Sequence, residues 1–213
     1  AGMNFTLHYR ALRGDFEPIS KDDELRTYAG IVLAAIALVS VDLLAHSHYS
    51  LWNTLRHSSF QVVSIITTTG FTTVDYDIWP PLSRAILLIL MFVGGSGGST
   101  GGAIKVVRMN VLAKHSIREL KRAVYPRRVT VIRLNGKAVS EEVSGAVLAF
   151  VILYLSVFLL SMLALSSMGL DFMSAVGAVA ATLGNIGPGF GLVGPTCNYS
   201  AVPAMGKWLL SFC

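Results

Sequence analysis

Two uninterrupted apolar runs constrain this chain more than any other feature. One extends from Leu25 to about Ala45, the other from about Val143 to Met168, and Ala, Ile, Leu and Val dominate both. Each supplies the roughly 20 consecutive apolar residues that a helix needs to cross the hydrocarbon core of a bilayer. Composition points the same way. The chain is 53% hydrophobic and 14% charged, whereas a soluble domain carries about 25% charged residues. The net charge of +5 could favour nucleic acid, but the basic residues cluster between apolar blocks, which is the pattern of a cytoplasmic loop. From Lys105 to Lys137 stand ten Lys or Arg residues and a single acidic one, Glu119. That asymmetry places the segment on the cytoplasmic side, with membrane lipid rather than nucleic acid as the partner.

Shorter segments follow each long run. Leu51 to Ile66 is amphipathic at helical spacing but too short to span, so it reads as a re-entrant or interfacial helix. It runs into Thr67-Thr68-Thr69-Gly70-Phe71-Thr72-Thr73, where the density of threonine and glycine ends the helix. Irregular backbone at membrane depth is tolerated only where protein buries it or where it lines a watery cavity. A short helix leading into such a loop is how an ion filter is built. After Trp79-Pro80-Pro81 a helix is expected from about Leu82 to Val93. It breaks at Gly94-Gly95-Ser96-Gly97-Gly98-Ser99-Thr100-Gly101-Gly102 and is expected to resume through Lys105 and Arg108 to about Val124. Val129 to Leu134 followed by Asn135-Gly136 reads as a small hairpin with a primed turn. Ser140-Glu141-Glu142 opens the second long helix. A short helix from about Asp171 to Leu183 then leads into Gly184-Asn185-Ile186-Gly187-Pro188-Gly189-Phe190-Gly191, and a last apolar segment opens near Ala204.

The order of elements therefore occurs twice, with a nearly constant offset. Glu142 follows Glu24 by 118 positions and Gly187 follows Gly70 by 117. Each unit enters and leaves on one side, so the copies are parallel rather than inverted, and both glycine loops face outward. Two loops cannot surround an ion. Carbonyl oxygens are needed from all around, so further units are expected elsewhere in the protein or in other subunits. The apolar segment from Trp208 to Cys213 likewise stops short of a span, and the chain is expected to be part of something longer.

Several other residues have plainer roles. Asp42, near the end of its apolar run, is a functional candidate at membrane depth, although its place near the edge favours snorkelling to the interface. His46 and His48 lack a third partner nearby and, with Arg56, read as a solvated patch rather than a metal site. Cys197 and Cys213 lack disulfide or metal spacing and are expected to be apolar or packed thiols. Gly94 and Gly98 have the spacing of a helix-packing motif, but six glycines in nine residues is denser than packing requires. A phosphate loop is excluded because Ile104 rather than glycine precedes Lys105. Lys105 is either an electrostatic element of the glycine break or a cytoplasmic anchor. Asn198-Tyr199-Ser200 matches a glycosylation acceptor, a tripeptide common by chance. No basic region followed by an apolar core marks a signal peptide between Ala1 and Arg10.

TTTGFTT at Thr67 to Thr73, GGSGGSTGGAIKVVR at Gly94 to Arg108 and GNIGPGFG at Gly184 to Gly191 resemble the third and fourth pore regions of the Trk/Ktr potassium-uptake superfamily, in its TrkH branch. The resemblance covers nearly the whole chain in the right order. It implies an all-α integral membrane fold of tandem parallel helix–pore-loop–helix repeats, with a small cytoplasmic hairpin. On this division, residues 1–24 are a cytoplasmic lead-in and 25–124 a repeat whose second helix is broken. Residues 125–139 hold the hairpin, and 140–213 a second repeat truncated in its last helix. It further implies that the filter carbonyls come from Thr68, Thr69 and Gly70 in one loop and from Asn185, Ile186 and Gly187 in the other. Their ligand would be potassium, with no organic cofactor. Gly94, Gly95, Gly97, Gly98, Ser99, Thr100, Gly101, Gly102 and Lys105 would form an intramembrane gating loop. The implied setting is a bacterial inner membrane and a multi-pass homodimer, with the remaining repeats of the same protein and cytoplasmic nucleotide-binding regulatory subunits as partners. The competing class is a non-conducting anchor or membrane enzyme. An enzyme needs convergent acid, base or nucleophile groups, and the membrane-depth segments carry few.

Overall fold

Helices in this chain begin where the sequence supplies a cap. The computed structural model describes residues 2–47, 49–125 and 131–213, and their side chains except those of Pro18 and Ser20. Helices α1 (Phe5–Leu12), α2 (Glu17–Ser20), α3 (Asp23–His46), α4 (Leu51–Ile66), α5 (Pro81–Val93) and α6 (Val106–Val124) come first. A hairpin of β1 (Arg133–Leu134) and β2 (Lys137–Ala138) follows, then α7 (Glu141–Ser167), α8 (Phe172–Leu183) and α9 (Ala204–Phe212). The Asp22 carboxylate accepts from the Leu25 N–H at 2.7 Å to start α3, and Ser140 accepts from Val143 at 3.3 Å to start α7. Ser50 and Asp171 do the same for α4 and α8. Each satisfies a backbone donor that a helix start leaves without a partner. Prolines open α5 and immediately precede α9, where a missing N–H costs nothing.

Only 33% of the most apolar window of α3 and 22% of that of α7 is buried within the chain. Leu33, Val41, Ile152, Leu153 and Leu160 all stand exposed. A core helix of a soluble protein would bury such residues; a helix facing lipid does not. Each long helix packs against the short helix after it and the helix beyond the loop: α3 with α4 and α5, α7 with α8 and α9. The two groups meet where α5 packs on α8 and α6 on α7. The buried core runs through this junction, from Val39, Leu43 and Ile66 by way of Leu87 and Met91 to Val179 and Leu165. Phe92 closes one side edge-on to Phe158, with ring centroids 4.9 Å apart.

Asp42 departs from expectation. It does not snorkel: it is 5% exposed and accepts from the Ser83 N–H at 2.9 Å and the Ser83 hydroxyl at 2.6 Å. Ser83 lies in the first turn of α5, so a carboxylate on α3 caps a neighbouring helix at its positive end. Periodicity cannot show this, because the partner lies 41 residues away. A second buried polar link, Ser40 to Ser58 at 2.7 Å, ties α3 to α4.

The hairpin is paired antiparallel, Arg133 with Ala138 and Leu134 with Lys137, and its turn has positive φ at Asn135 (48°) and Gly136 (75°), as a primed turn requires. Val129, where the strand was expected to begin, lies outside the described residues, as do Arg127, Arg128 and His48. The turn docks on the start of α3: Asn135 Oδ1 accepts from the Asp23 N–H at 2.7 Å, and its Nδ2 donates to Asp22 at 2.9 Å. On α6, Arg118 holds Glu141 of α7 through both guanidinium Nη atoms.

The lead-in packs inward: Gly2 O accepts from the Ser96 N–H at 2.8 Å, and the Phe5 N–H reaches Gly98 O at 3.3 Å, so its first residues lie against the glycine-rich break. A further expectation is corrected, because the helix does not resume through Lys105. Positive φ at Ala103 (55°) and Lys105 (70°) keeps the chain out of the helical region until Val106.

Replacing Asp42 with Ala strips an acceptor from two buried donors and is expected to cost about 2 kcal/mol or more. His46→Ala removes only the mostly exposed partner of the same carboxylate and should change stability by less than about 0.5 kcal/mol. Thermal unfolding of the detergent-solubilised full-length protein checks both.

Candidate functional site

The loops that follow α4 and α8 have the same backbone. In the first, the Thr68 N–H donates to Ile65 O at 3.0 Å, and the Thr69 and Gly70 N–H groups donate to Ser64 O at 2.9 and 3.3 Å. In the second, Asn185 donates to Thr182 O at 3.0 Å, and Ile186 and Gly187 donate to Ala181 O at 2.8 and 3.5 Å. Every donor and acceptor is displaced by 117 positions. The torsions repeat as well: φ is 54° at Thr68 and 75° at Gly70, 54° at Asn185 and 109° at Gly187.

This pattern decides where the carbonyls face. In a planar trans peptide the N–H and the preceding C=O point in opposite directions. With three successive N–H groups turned back onto the end of each helix, the carbonyls of Thr67, Thr68 and Thr69 face away from α4, and those of Gly184, Asn185 and Ile186 face away from α8. The loops also abut. A Cβ placed on Gly70 would lie 1.9 Å from the Ile186 carbonyl oxygen, so Gly70 is required by close approach as well as by its φ. Thr69, Asn185 and Gly187 remain exposed. Residues 67–73 and 184–190 carry no ionisable side chain. What they offer a cation is neutral carbonyl dipoles, the chemistry that replaces a hydration shell.

Positive φ at the two glycines follows from their place in the sequence; positive φ at Thr68 and Asn185 does not. Asn tolerates the left-handed region, but a β-branched residue there is an outlier. The Thr68 hydroxyl accepts from the Gly102 N–H at 2.9 Å, which joins the first loop to the glycine-rich segment. No local sequence signal marks that pairing.

The glycine-rich segment, residues 94–105, lies against both carbonyl loops. A Cβ on Gly102 would meet Gly184 O at 2.2 Å, and one on Gly101 would meet Thr67 O at 3.4 Å. Gly94 and Gly98 have φ of 69° and 72°, so they belong to a loop and not to a helix-packing stripe. Lys105 turns back into the segment. Its Nζ donates to Ser99 O at 3.0 Å, to the Ser99 hydroxyl at 3.3 Å and to Gly101 O. Thr100 is exposed, Gly95 packs on Gly2 O, and the Gly97 N–H donates to Glu24 Oε1 at 2.5 Å. Glu24 served in the sequence only as a marker of the repeat.

Side chains from both units brace the far side of the second loop. The Tyr76 hydroxyl donates to Gly189 O at 3.0 Å, and its ring meets Phe190 edge-on at 5.3 Å. Asp77 Oδ2 accepts from the Gly191 N–H at 2.8 Å, while Oδ1 lies 3.0 Å from Arg84. The Tyr199 hydroxyl donates to Gly187 O at 2.7 Å. Burial pushes its phenol up to about 12, so it remains a donor. Of the thiols, Cys213 touches the Ser161 hydroxyl at 3.3 Å, but Cys197 is exposed rather than packed, because it follows a Gly-Pro turn at the surface. Among the described residues no group of three His, Cys, Asp or Glu side chains gathers.

Two lipid-length helices with exposed apolar faces, each leading through a short helix into a carbonyl-presenting loop, define a helical membrane protein. The family model of TrkH, cation transport protein, matches residues 32–212, and the chain belongs to that family. It is 40% identical over 212 residues to the Trk system potassium uptake protein TrkH of Salmonella typhimurium, covering 99% of this chain and 44% of that one. It is 42% identical over 214 residues to the protein of the same name from Vibrio parahaemolyticus, again covering 99% of this chain and 44% of the relative. The crystal structure of the potassium transporter TrkH from Vibrio parahaemolyticus superimposes with a TM-score of 0.88 at 41% identity, over 97% of this chain and 45% of that one. The chain thus spans less than half the length of these relatives, which are transporters and not enzymes.

Gly70→Ala combines a left-handed Cβ with an overlap on Ile186 O. It is expected to cost more than the roughly 1–2 kcal/mol of left-handed strain alone, read as a lowered midpoint of thermal unfolding.

Proposed function

We propose that this chain supplies two of the repeats around a potassium-conducting pore of a bacterial inner membrane, and that the full-length protein takes up potassium through it. The observation that carries the proposal is the repeated turn-back of N–H groups at residues 68–70 and 185–187, which directs the carbonyls of both loops away from their helices. In this reading Thr68, Thr69, Gly70, Asn185, Ile186 and Gly187 form half of a selectivity filter whose backbone oxygens take the place of water around potassium. Uncharged oxygens suit a weakly hydrated monovalent cation, and the third of the three positions in each loop is glycine, Gly70 and Gly187. Residues 94–105 lie against the inner side of both loops, where they would obstruct passage, and are the gate. Six glycines between positions 94 and 102 let that segment change conformation at low cost.

The domain division follows. Residues 1–24 lead in from the cytoplasm, 25–124 and 140–213 are the repeats, and the hairpin in 125–139 joins them on the cytoplasmic side. The basic residues of α6 and the hairpin then face the cytoplasm, where nucleotide-binding regulatory subunits would dock on a homodimer. The relatives named as potassium uptake proteins favour this over a non-conducting anchor.

Potassium and sodium flux into liposomes containing the full-length protein tests the reading. Native protein is expected to favour potassium, and Gly70→Ser to lose selectivity or rate. Absence of any cation flux, with regulatory subunits present, would remove the pore. Flux indifferent to the substitution would keep the pore and move the filter elsewhere.

A further inference from the structure

We infer that Glu24 is the latch that holds the glycine-rich segment against the two carbonyl loops, which makes it a positioning residue for ion passage. The inference rests on the pore reading above and extends it to a residue outside every loop motif.

Glu24 is the second residue of α3, yet it is only 7% exposed. A carboxylate so placed must find donors or positive potential, and it finds both. Its Oε1 accepts from the Gly97 N–H at 2.5 Å. The same carboxylate lies beside Val107, in the first turn of α6, a helix with no side-chain cap of its own, because Lys105 in the capping position makes none. Its charge lies at the positive ends of two helices at once, α3 and α6.

Gly97 is near the entry of the glycine-rich segment, and Val107 is just beyond its exit. The backbone joins the two ends, Val106 N–H to Gly95 O at 3.0 Å and Ile104 N–H to Phe92 O at 3.1 Å, and Glu24 ties the closed loop to α3. Gly97 is hemmed in accordingly: a Cβ there would lie 3.0 Å from Val107 Cγ1 and 3.5 and 3.6 Å from the two Glu24 oxygens. Within the segment, Gly102 is tied to the Thr68 hydroxyl and Lys105 to the segment's own carbonyls. Lys105 braces the loop internally but does not attach it to a helix. Without Glu24, the anchoring of the Gly97 end falls to residues 2–5 of the lead-in and to the bond between Gly95 O and the Val106 N–H.

Glu142, the counterpart of Glu24 in the second unit, is exposed, and its neighbour Glu141 pairs with Arg118, so a substitution at Glu142 serves as the control.

The test uses the full-length protein in liposomes, comparing native protein with Glu24→Ala, Glu24→Gln and a control, Glu142→Gln. Potassium flux, the potassium-to-sodium ratio and amide hydrogen exchange over Gly95–Gly102 are measured. Glu24→Ala is expected to raise flux by at least about fivefold, the low end of conformational coupling, and to speed loop exchange. Glu24→Gln should fall between it and native protein, because its amide oxygen can still accept from the Gly97 N–H but carries no charge at the two helix starts. The ion ratio should not move, since Glu24 touches neither carbonyl loop, and Glu142→Gln should match native protein. Native-like flux and exchange in both Glu24 variants would overturn the latch. So would lost flux with a lowered unfolding temperature and no selective loosening of the loop, because that marks a helix cap and nothing more. If native protein carries no flux, the pore reading falls, and loop exchange alone decides: faster in the variants supports the latch, unchanged overturns it.

Discussion

Everything at the centre of this structure follows from how two short helices end. At the last turns of α4 and α8 the next three N–H groups fold back onto helix carbonyls instead of leaving with the chain. That choice satisfies donors that would otherwise be orphaned away from water. It also obliges the intervening carbonyls to face outward, because the peptide plane allows no other arrangement. Outward-facing carbonyls then set the demands on their neighbours. Gly70 must lack a side chain because Ile186 O lies against it, and Gly102 because Gly184 O does. The glycine content of the loops is thus a consequence of the carbonyl arrangement.

The two halves share this backbone but stabilise it differently. Ser64 helps the first loop with its hydroxyl on Phe71 O at 2.6 Å; the equivalent position in the second half is Ala181, which cannot. There Tyr199 takes over, and Tyr76 and Asp77 reach across from the first half. The second half is not self-sufficient. Polar links of this kind carry weight at membrane depth because no hydrophobic force draws one apolar helix to another in lipid. Asp42 on Ser83, Ser40 on Ser58 and Glu24 on Gly97 each spend a buried polar group on holding one element against another.

Much of this was legible beforehand. Apolar run length identified α3 and α7, and threonine and glycine density marked where α4 stops. Asn135-Gly136 announced its turn, and the constant offset between Gly70 and Gly187 exposed the repeat. All of these depend on near neighbours in the chain. Most of what could not be read has partners far away. Asp42 looked like a residue at the edge of a span and is an interhelical cap. Lys105 looked like a helix residue and turns back into a loop. Thr68 sits in a conformation that its own side chain disfavours, held by a bond to a residue 34 positions on.

The sequence by itself determined the elements, their order, their duplication and the residues at which backbone would have to leave the helix, because propensity, capping and hydrophobic length act within a few residues. Folding in three dimensions settled which carbonyls meet which glycines, which carboxylate grips the glycine-rich segment and which half braces the other. Those contacts link residues up to 116 positions apart, and no local preference records a partner at that distance.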